Sequence, residues 1–139
     1  RRSIDALGPT LSGRVLRTGR IDDDARSWLL RNAAVLAYPS LDEGFGFPLL
    51  DAMQAGTPVV ASTAGSIPEV AGDAAVLCDP LDVDGLAEAL AIALTDSIVR
   101  DRLVAAGNTR WPQFDWQHCA QGIADLYGLA VRGATDELR

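Results

Sequence analysis

Hydrophobic positions along this chain follow two rhythms. Residues 33–38 (AAVLAY), 59–61 (VVA) and 75–78 (AVLC) are short, unbroken apolar runs. Runs of that length without alternation suit strands buried on both faces, as in a parallel sheet. Residues 14–18 (RVLRT), ended by Gly19, form a fourth strand candidate. Between and after these runs the spacing becomes helical. Ala25, Trp28, Leu29 and Asn32 share one face, and so do Val83, Leu86, Leu90 and Leu94. The last stripe joins Trp116, Ala120, Ile123, Tyr127 and Ala130. Four strands alternating with helices predict an α/β fold with a parallel sheet and right-handed crossovers.

Polar and special residues punctuate that pattern. The run Asp22-Asp23-Asp24 precedes a helical stretch, where acids cap free amides and answer the helix dipole. That reading outweighs a metal site. Pro48 and Gly56 bracket a compact helix over residues 49–55. Asp82 and Asp115 are further capping candidates. Ser97 starts a helix that Gly107-Asn108 is expected to stop. At the N-terminus, Gly8-Pro9 is expected to end a helix running to about Leu7, and residues 133–139 are expected to fray.

Composition narrows the class. With 139 residues there is material for one domain, and a hydrophobic fraction of 48% with 22% charge is that of a globular chain. No apolar run approaches the ~20 residues of a membrane span. The net charge is −7, which argues against sequence-independent nucleic-acid binding. Cys78 and Cys119 form no metal-ligand spacing and read as free thiols of a reducing compartment. The lone His118 lacks a nucleophile in its neighbourhood, so a solvated or packed histidine is expected there. Trp111 and Trp116 read as core or docking residues.

The chemistry concentrates in residues 41–70. Glu43 opens a glycine-punctuated loop, 43–48 (EGFGFP), that runs straight into the start of a helix. A helix start leaves amides unpaired and turns the positive end of a dipole toward the loop. Gly44 and Gly46 carry no Cβ, so a ligand can approach that backbone closely. Anion-binding backbone beside carboxylates that accept hydroxyls suits a phosphorylated sugar. By itself this pattern is also that of an ordinary strand-to-helix turn.

Several ordered motifs together are more specific. The Gly19-Arg20-Ile21 loop, Tyr38-Pro39-Ser40, EGFGFP and Ala52-Met53 occur in that order. They are followed by 55–62 (AGTPVVAS), 66–70 (SIPEV), Gly72-Asp73-Ala74, Asp79-Pro80 and Phe114-Asp115-Trp116. In this the chain resembles, almost end to end, the C-terminal nucleotide-sugar-binding domain of retaining GT-B glycosyltransferases of the family 4 type. The family signature is Glu, seven residues, Glu. Here the first position is Glu43 and the second is Asp51, one methylene shorter.

The resemblance implies a Rossmann-like parallel sheet, helical toward its C-terminal end, with residues 1–139 as a partial domain. Its strands would be the third to sixth of the order 3-2-1-4-5-6, the first two and the acceptor domain lying before Arg1. It implies Glu43 at the donor sugar as the catalytic position. The backbone of Gly44, Phe45, Gly46 and Phe47 would hold the diphosphate and sugar hydroxyls. Asp51 would take the ribose, with Arg20 and Ile21 near the base. Asp51 also has a plainer reading as a helix-start acid, and so has Glu69. No metal or cofactor is implied, and basic phosphate ligands would lie upstream of Arg1.

The implied function of the full-length protein is transfer of a hexose from a nucleotide-diphosphate sugar to a glycan or lipid acceptor with retention. The donor would be GDP-mannose before UDP-glucose, and this segment alone would be inactive. A cytoplasmic location is implied, with peripheral contact at the inner face of a membrane. A nucleotide-sugar epimerase of the same architecture and a non-catalytic nucleotide-binding module are the competing classes.

Overall fold

A computed structural model of the protein describes residues 9–136. A short helical turn α1 (Pro9–Ser12) is followed by an irregular segment and α2 (Asp23–Asn32). Then come β1 (Leu36–Tyr38), α3 (Phe47–Gln54), β2 (Val59–Ser62), α4 (Ile67–Ala71) and β3 (Ala75–Cys78). Helices α5 (Val83–Thr95) and α6 (Ser97–Arg110), a 3-10 turn (Trp111–Phe114) and the long α7 (Trp116–Asp136) complete the described chain.

The sheet is three-stranded and parallel, in the order β1-β2-β3. Leu36 pairs with Val59 and Val59 with Ala75, so one register runs across all three strands. The successive-neighbour order matches the fourth to sixth strands of the expected arrangement. β2 is central and buried at every position, as its unbroken VVA run requires.

Side chains alternate across the sheet. Val59 and Ala61 face a core made with Leu49, Ala52 and Met53 of α3, Ile67 and Ala71 of α4, and Ala74. Val60 turns to the other face, against Ala89 and Ala93 of α5. Helices on both faces of a parallel sheet make the three-layer α/β architecture.

Three sequence expectations are corrected. Residues 14–18 are not a strand. Val15 and Leu16 are exposed, and a strand needs a hydrogen-bonding neighbour that this segment lacks among the described residues. Among the described residues the sheet accordingly has three strands, not four. Pro9 begins a helical turn rather than ending a helix, and the expected helix over residues 1–7 lies outside the described residues. Helix α6 does not stop at Gly107-Asn108 but runs to Arg110. Gly107 is buried there because a Cβ would come within 3.1 Å of Met53 Cγ, so glycine serves close helix packing and not termination. Residues 133–136 form the last turn of α7.

Two helical stripes are also revised. In α5 it is Leu86, Ala89, Leu90 and Ala93 that pack, while Val83 and Leu94 are exposed. Alanines let that helix lie close to the sheet. In α2, Leu30 reaches the core while Trp28 and Leu29 stay largely exposed. The expected caps hold: Asp22 accepts from the Ala25 amide at 2.8 Å, Asp82 from Gly85 at 2.9 Å and Asp115 from His118 at 2.7 Å. Asp96 caps α6, accepting from Ile98 and Val99.

Candidate donor site

The loops leaving the carboxyl ends of β1 and β2 meet beside the N-terminus of α3. Crevices at that end of a parallel sheet are where α/β folds bind ligands. Gly46 is the N-cap of α3 with φ 100°, a left-handed conformation that a side chain resists, and it offers no side-chain cap. Phe47 and Pro48 form the first helical positions, and Leu49, Ala52 and Met53 anchor the inner face. At the other end Gly56, φ 74°, lets the amides of Gly56 and Thr57 return to the carbonyls of Met53 and Ala52. The helix is held by its inner face and closed at its C-terminus. At its N-terminus Pro48 has no amide N–H, and the Leu49 amide donates to the Gly46 carbonyl at 3.0 Å.

Glu43 is gripped at both ends. Its carboxylate Oε2 accepts a short hydrogen bond from the Tyr38 hydroxyl. Its carbonyl accepts from the Ser66 amide at 3.1 Å and the Ser66 hydroxyl at 3.0 Å. The Tyr38 hydroxyl holds the carboxyl below the usual glutamate range; desolvation opposes this, and the amides of Phe45 and Gly44 reinforce it. The same contact raises the Tyr38 phenol above its usual value, with burial and the Glu43 charge adding to it. Glu43 is therefore an anion at neutral pH, which suits a hydroxyl acceptor and not an acid.

Asp51 lies on the second turn of α3, beyond the first turn where a helix-start acid belongs. It faces α2, and its Oδ2 pairs with Arg26 Nη1 at 2.9 Å. Arg26, Ser27, Arg31, Asp51 and Gln54 line a polar groove of about 320 Å³ between the two helices. Arg20 and Ile21 line a separate shallow groove with Asp22 and Asp23 at the start of α2. The structure thus gathers Glu43, Gly44, Phe45, Gly46 and Phe47 in one loop. Asp51 sits on the flank facing α2, and Arg20 and Ile21 sit apart from both.

On the other side of the loop lies an apolar cavity of about 520 Å³, lined by Phe45, Phe47, Phe114, Trp116, His118 and Cys119 among others. The Phe45 ring lies 4.6 Å from that of Phe47, tilted by 43°, and meets Phe114 edge-on at 5.8 Å. His118 pairs with its own cap residue, Nδ1 to Asp115 Oδ1 at 2.8 Å, and is exposed, as the sequence suggested. Cys78 and Cys119 are both free thiols. Trp111 packs against the core, whereas Trp116 is 87% exposed. Glu69 falls in the first turn of α4.

Sequence reasoning did not single out Tyr38, Ser66 or Arg26. Tyr38 carried one usable signal: a tyrosine at the carboxyl end of a buried strand, where side chains reach a ligand crevice. Arg110 was also missed. Its Nε donates to the Val70 carbonyl at 3.0 Å and Nη2 to that of Glu69, closing the C-terminal end of α4, and its guanidinium lies 5.0 Å from the Phe114 ring centre.

Residues 6–110 match the family described as Glycosyl transferases group 1, and the chain belongs to that family, of the GT-B type. It is 38% identical over 120 residues to the O-antigen chain mannosyltransferase B of Escherichia coli, covering 86% of this chain and 32% of that protein. It is 38% identical over 140 residues to the MMP alpha-(1->4)-mannosyltransferase of Mycolicibacterium hassiacum, covering 92% and 34%. A glycogen synthase of Mycobacterium tuberculosis is 39% identical over 127 residues, covering 86% and 31%. Among solved structures, sucrose-phosphate synthase from Thermosynechococcus elongatus superposes with a TM-score of 0.78 at 30% identity, over 95% of this chain and 34% of that one. The chain spans about a third of the length of these relatives. Among the described residues no helix is long and apolar enough to cross a membrane.

Proposed function

We propose that this domain binds the donor of a retaining hexosyltransferase of the family 4 type. In the full-length protein it would serve transfer from a nucleotide-diphosphate sugar to a glycan or lipid acceptor. Glu43 faces the donor sugar as an anionic hydroxyl acceptor. The backbone of Gly44, Phe45, Gly46 and Phe47 receives the diphosphate at the N-terminus of α3, where the helix dipole favours an anion. Arg20 and Ile21 lie toward the base. Asp51 takes the ribose through Oδ1, since Arg26 engages Oδ2. The observation that carries the reading is Glu43, ionised and held by Tyr38 and Ser66 beside a helix N-terminus that no side chain caps. Mannose is the first choice of sugar, because two of the relatives are named for mannosyl transfer; glucose is the second. The acceptor is reached through parts of the protein beyond this domain, with the work done in the cytoplasm and at most peripherally on a membrane.

Asp51 also supports a second reading, in which it is only the partner of Arg26. A surface pair of that kind is worth ~0–1 kcal/mol, so affinity separates the two readings better than stability. In the full-length enzyme, Glu43→Gln should leave nucleotide-diphosphate binding by calorimetry nearly unchanged while turnover of GDP-mannose or UDP-glucose falls by more than about tenfold. Asp51→Asn should weaken nucleotide binding about ten- to a hundredfold, the loss of a charged hydrogen bond. Unchanged turnover in the first variant removes Glu43 from the chemistry. Unchanged affinity in the second leaves Asp51 to Arg26.

A further inference from the structure

We propose that Tyr38 is a positioning residue of the donor site, acting with Gly65 and Ser66 as a clamp that fixes Glu43 from two sides. The inference rests on the reading of Glu43 as the sugar-facing acid. It concerns a different question: what makes a flexible acid in a glycine loop present one geometry.

The EGFGFP loop has little rigidity of its own. Gly44 is exposed, with nothing within 4 Å of where its Cβ would be, and Gly46 takes a left-handed turn. A glutamate in such a loop would sample many side-chain rotamers, each aiming the carboxylate elsewhere. Tyr38 removes that freedom. Its backbone is in register with Ala61 of the central strand, and its ring packs against the core cluster around Leu49 and Met53. The phenol oxygen is therefore held from the sheet and the core beneath it, and it donates to Glu43 Oε2. A hydrogen bond to a carboxylate is charge-assisted and directional, so it sets both the place and the angle of the group.

The backbone of Glu43 is held from the other loop. Ser66 donates to its carbonyl through both amide and hydroxyl. Gly65 allows this approach: with φ +57°, a Cβ there would lie 2.5 Å from the Glu43 carbonyl oxygen and 2.9 Å from its nitrogen. The groups around Glu43 are thus Tyr38 from β1, Gly65 and Ser66 from the β2–α4 loop, and the Gly44 and Phe45 amides of its own loop. Asp42, the adjacent acid, is turned toward Gly65: a Cβ there would lie 3.3 Å from its Oδ1. Tyr38 itself need not touch the sugar. It acts through Glu43.

The test is a double-mutant cycle in the full-length enzyme, with GDP-mannose as donor and UDP-glucose if the first is not used. Tyr38→Phe keeps the packed ring and removes only the hydroxyl. Its kcat should fall about tenfold while KM for the donor stays within about twofold, because orientation for the transition state is lost rather than ground-state binding. The acid limb of its kcat profile should move to higher pH, since the contact that most depresses the Glu43 carboxyl is gone. In a Glu43→Gln background the same change should cost less than about twofold, because both substitutions remove one interaction. Ser66→Ala, which keeps the amide bond and loses the hydroxyl bond, should give a smaller loss of the same kind. Additive losses in the cycle, or a Tyr38→Phe enzyme within about twofold of wild type, overturn the inference while leaving Glu43 in its role. A silent Glu43→Gln, or a wild type inert toward both donors, overturns the proposed function and this inference together.

Discussion

Helices α3 and α7 stand at opposite ends of the packing scale. Helix α3 has eight residues, of which Leu49, Ala52 and Met53 are buried, and it packs against both neighbouring strands and α2, α4 and α6. Helix α7 has 21 residues and touches mainly the 3-10 turn that precedes it. Its apolar stripe, with Ile123, Leu126 and Tyr127, is open to solvent in this domain. Both stripes are well formed. Burial depends on whether a second surface stands opposite, and only α3 has a sheet beneath it. That placement also makes α3 the base of the candidate site, whereas α7 contributes only Trp116, His118 and Cys119 to the rim of the aromatic cavity.

The largest expected effect sharpens this contrast by truncating one side chain in each helix. Leu49→Ala should cost about 2–5 kcal/mol in urea unfolding, the loss of a fully buried leucine plus its cavity. Ile123→Ala should stay within about 0.5 kcal/mol, as exposed positions do. Comparable losses at the two positions would mean that α7 is packed in solution.

Glycine substitutions probe the same difference through the backbone. Gly65→Ala adds a Cβ into the Glu43 backbone at a positive φ, and strain of this kind is expected to cost about 1–3 kcal/mol. Gly122→Ala in α7 meets nothing within 4 Å, and should stabilise the helix by about 0.8–1 kcal/mol. Opposite signs in thermal melting are the expected result, with helix content by circular dichroism rising only for Gly122→Ala. Equal signs would break the comparison.

The smallest effect is spectroscopic. The chain has two tyrosines, Tyr38 at the site and Tyr127 on α7, so a Tyr127→Phe background isolates Tyr38. Its phenolate absorbance should appear above the ordinary tyrosine value of about 10, and Glu43→Gln should bring it down toward that value. The signs agree for both partners. Glu43, held low, contributes stability above the usual carboxylate range that is lost as pH falls through its depressed value. Tyr38, held high, contributes stability below the usual tyrosine value that is lost as pH rises through its raised one. The pair is therefore intact across the neutral range, and a Tyr38 titration indifferent to Glu43 would show that the contact is absent in solution.

What the sequence determined by itself was local. Unbroken apolar runs placed β1, β2 and β3 to within a few residues, because strands with helices packed over both faces carry few polar positions; β2 is buried at every position, β1 and β3 only partly. Asp22, Asp82 and Asp115 marked helix starts, because a carboxylate meets its free amides within one turn. The glycines of EGFGFP and the ordered motifs pointed to a candidate site, because backbone that a ligand can approach closely lacks side chains.

What only the tertiary structure decided was partnership. Residues 14–18 have strand composition but no neighbouring strand among the described residues, and hydrogen bonds between strands cannot be read from one of them. Gly107 looks like a stop and is a contact surface, since its reason lies in Met53, 54 positions earlier in the chain. Asp51 looks like a helix-start acid, yet its partner is Arg26, 25 positions away on another helix. Tyr38 and Ser66 enter the site for the same reason. Two loops that are separate in sequence converge on Glu43 only when their strands lie parallel, side by side, with both carboxyl ends at one edge of the sheet.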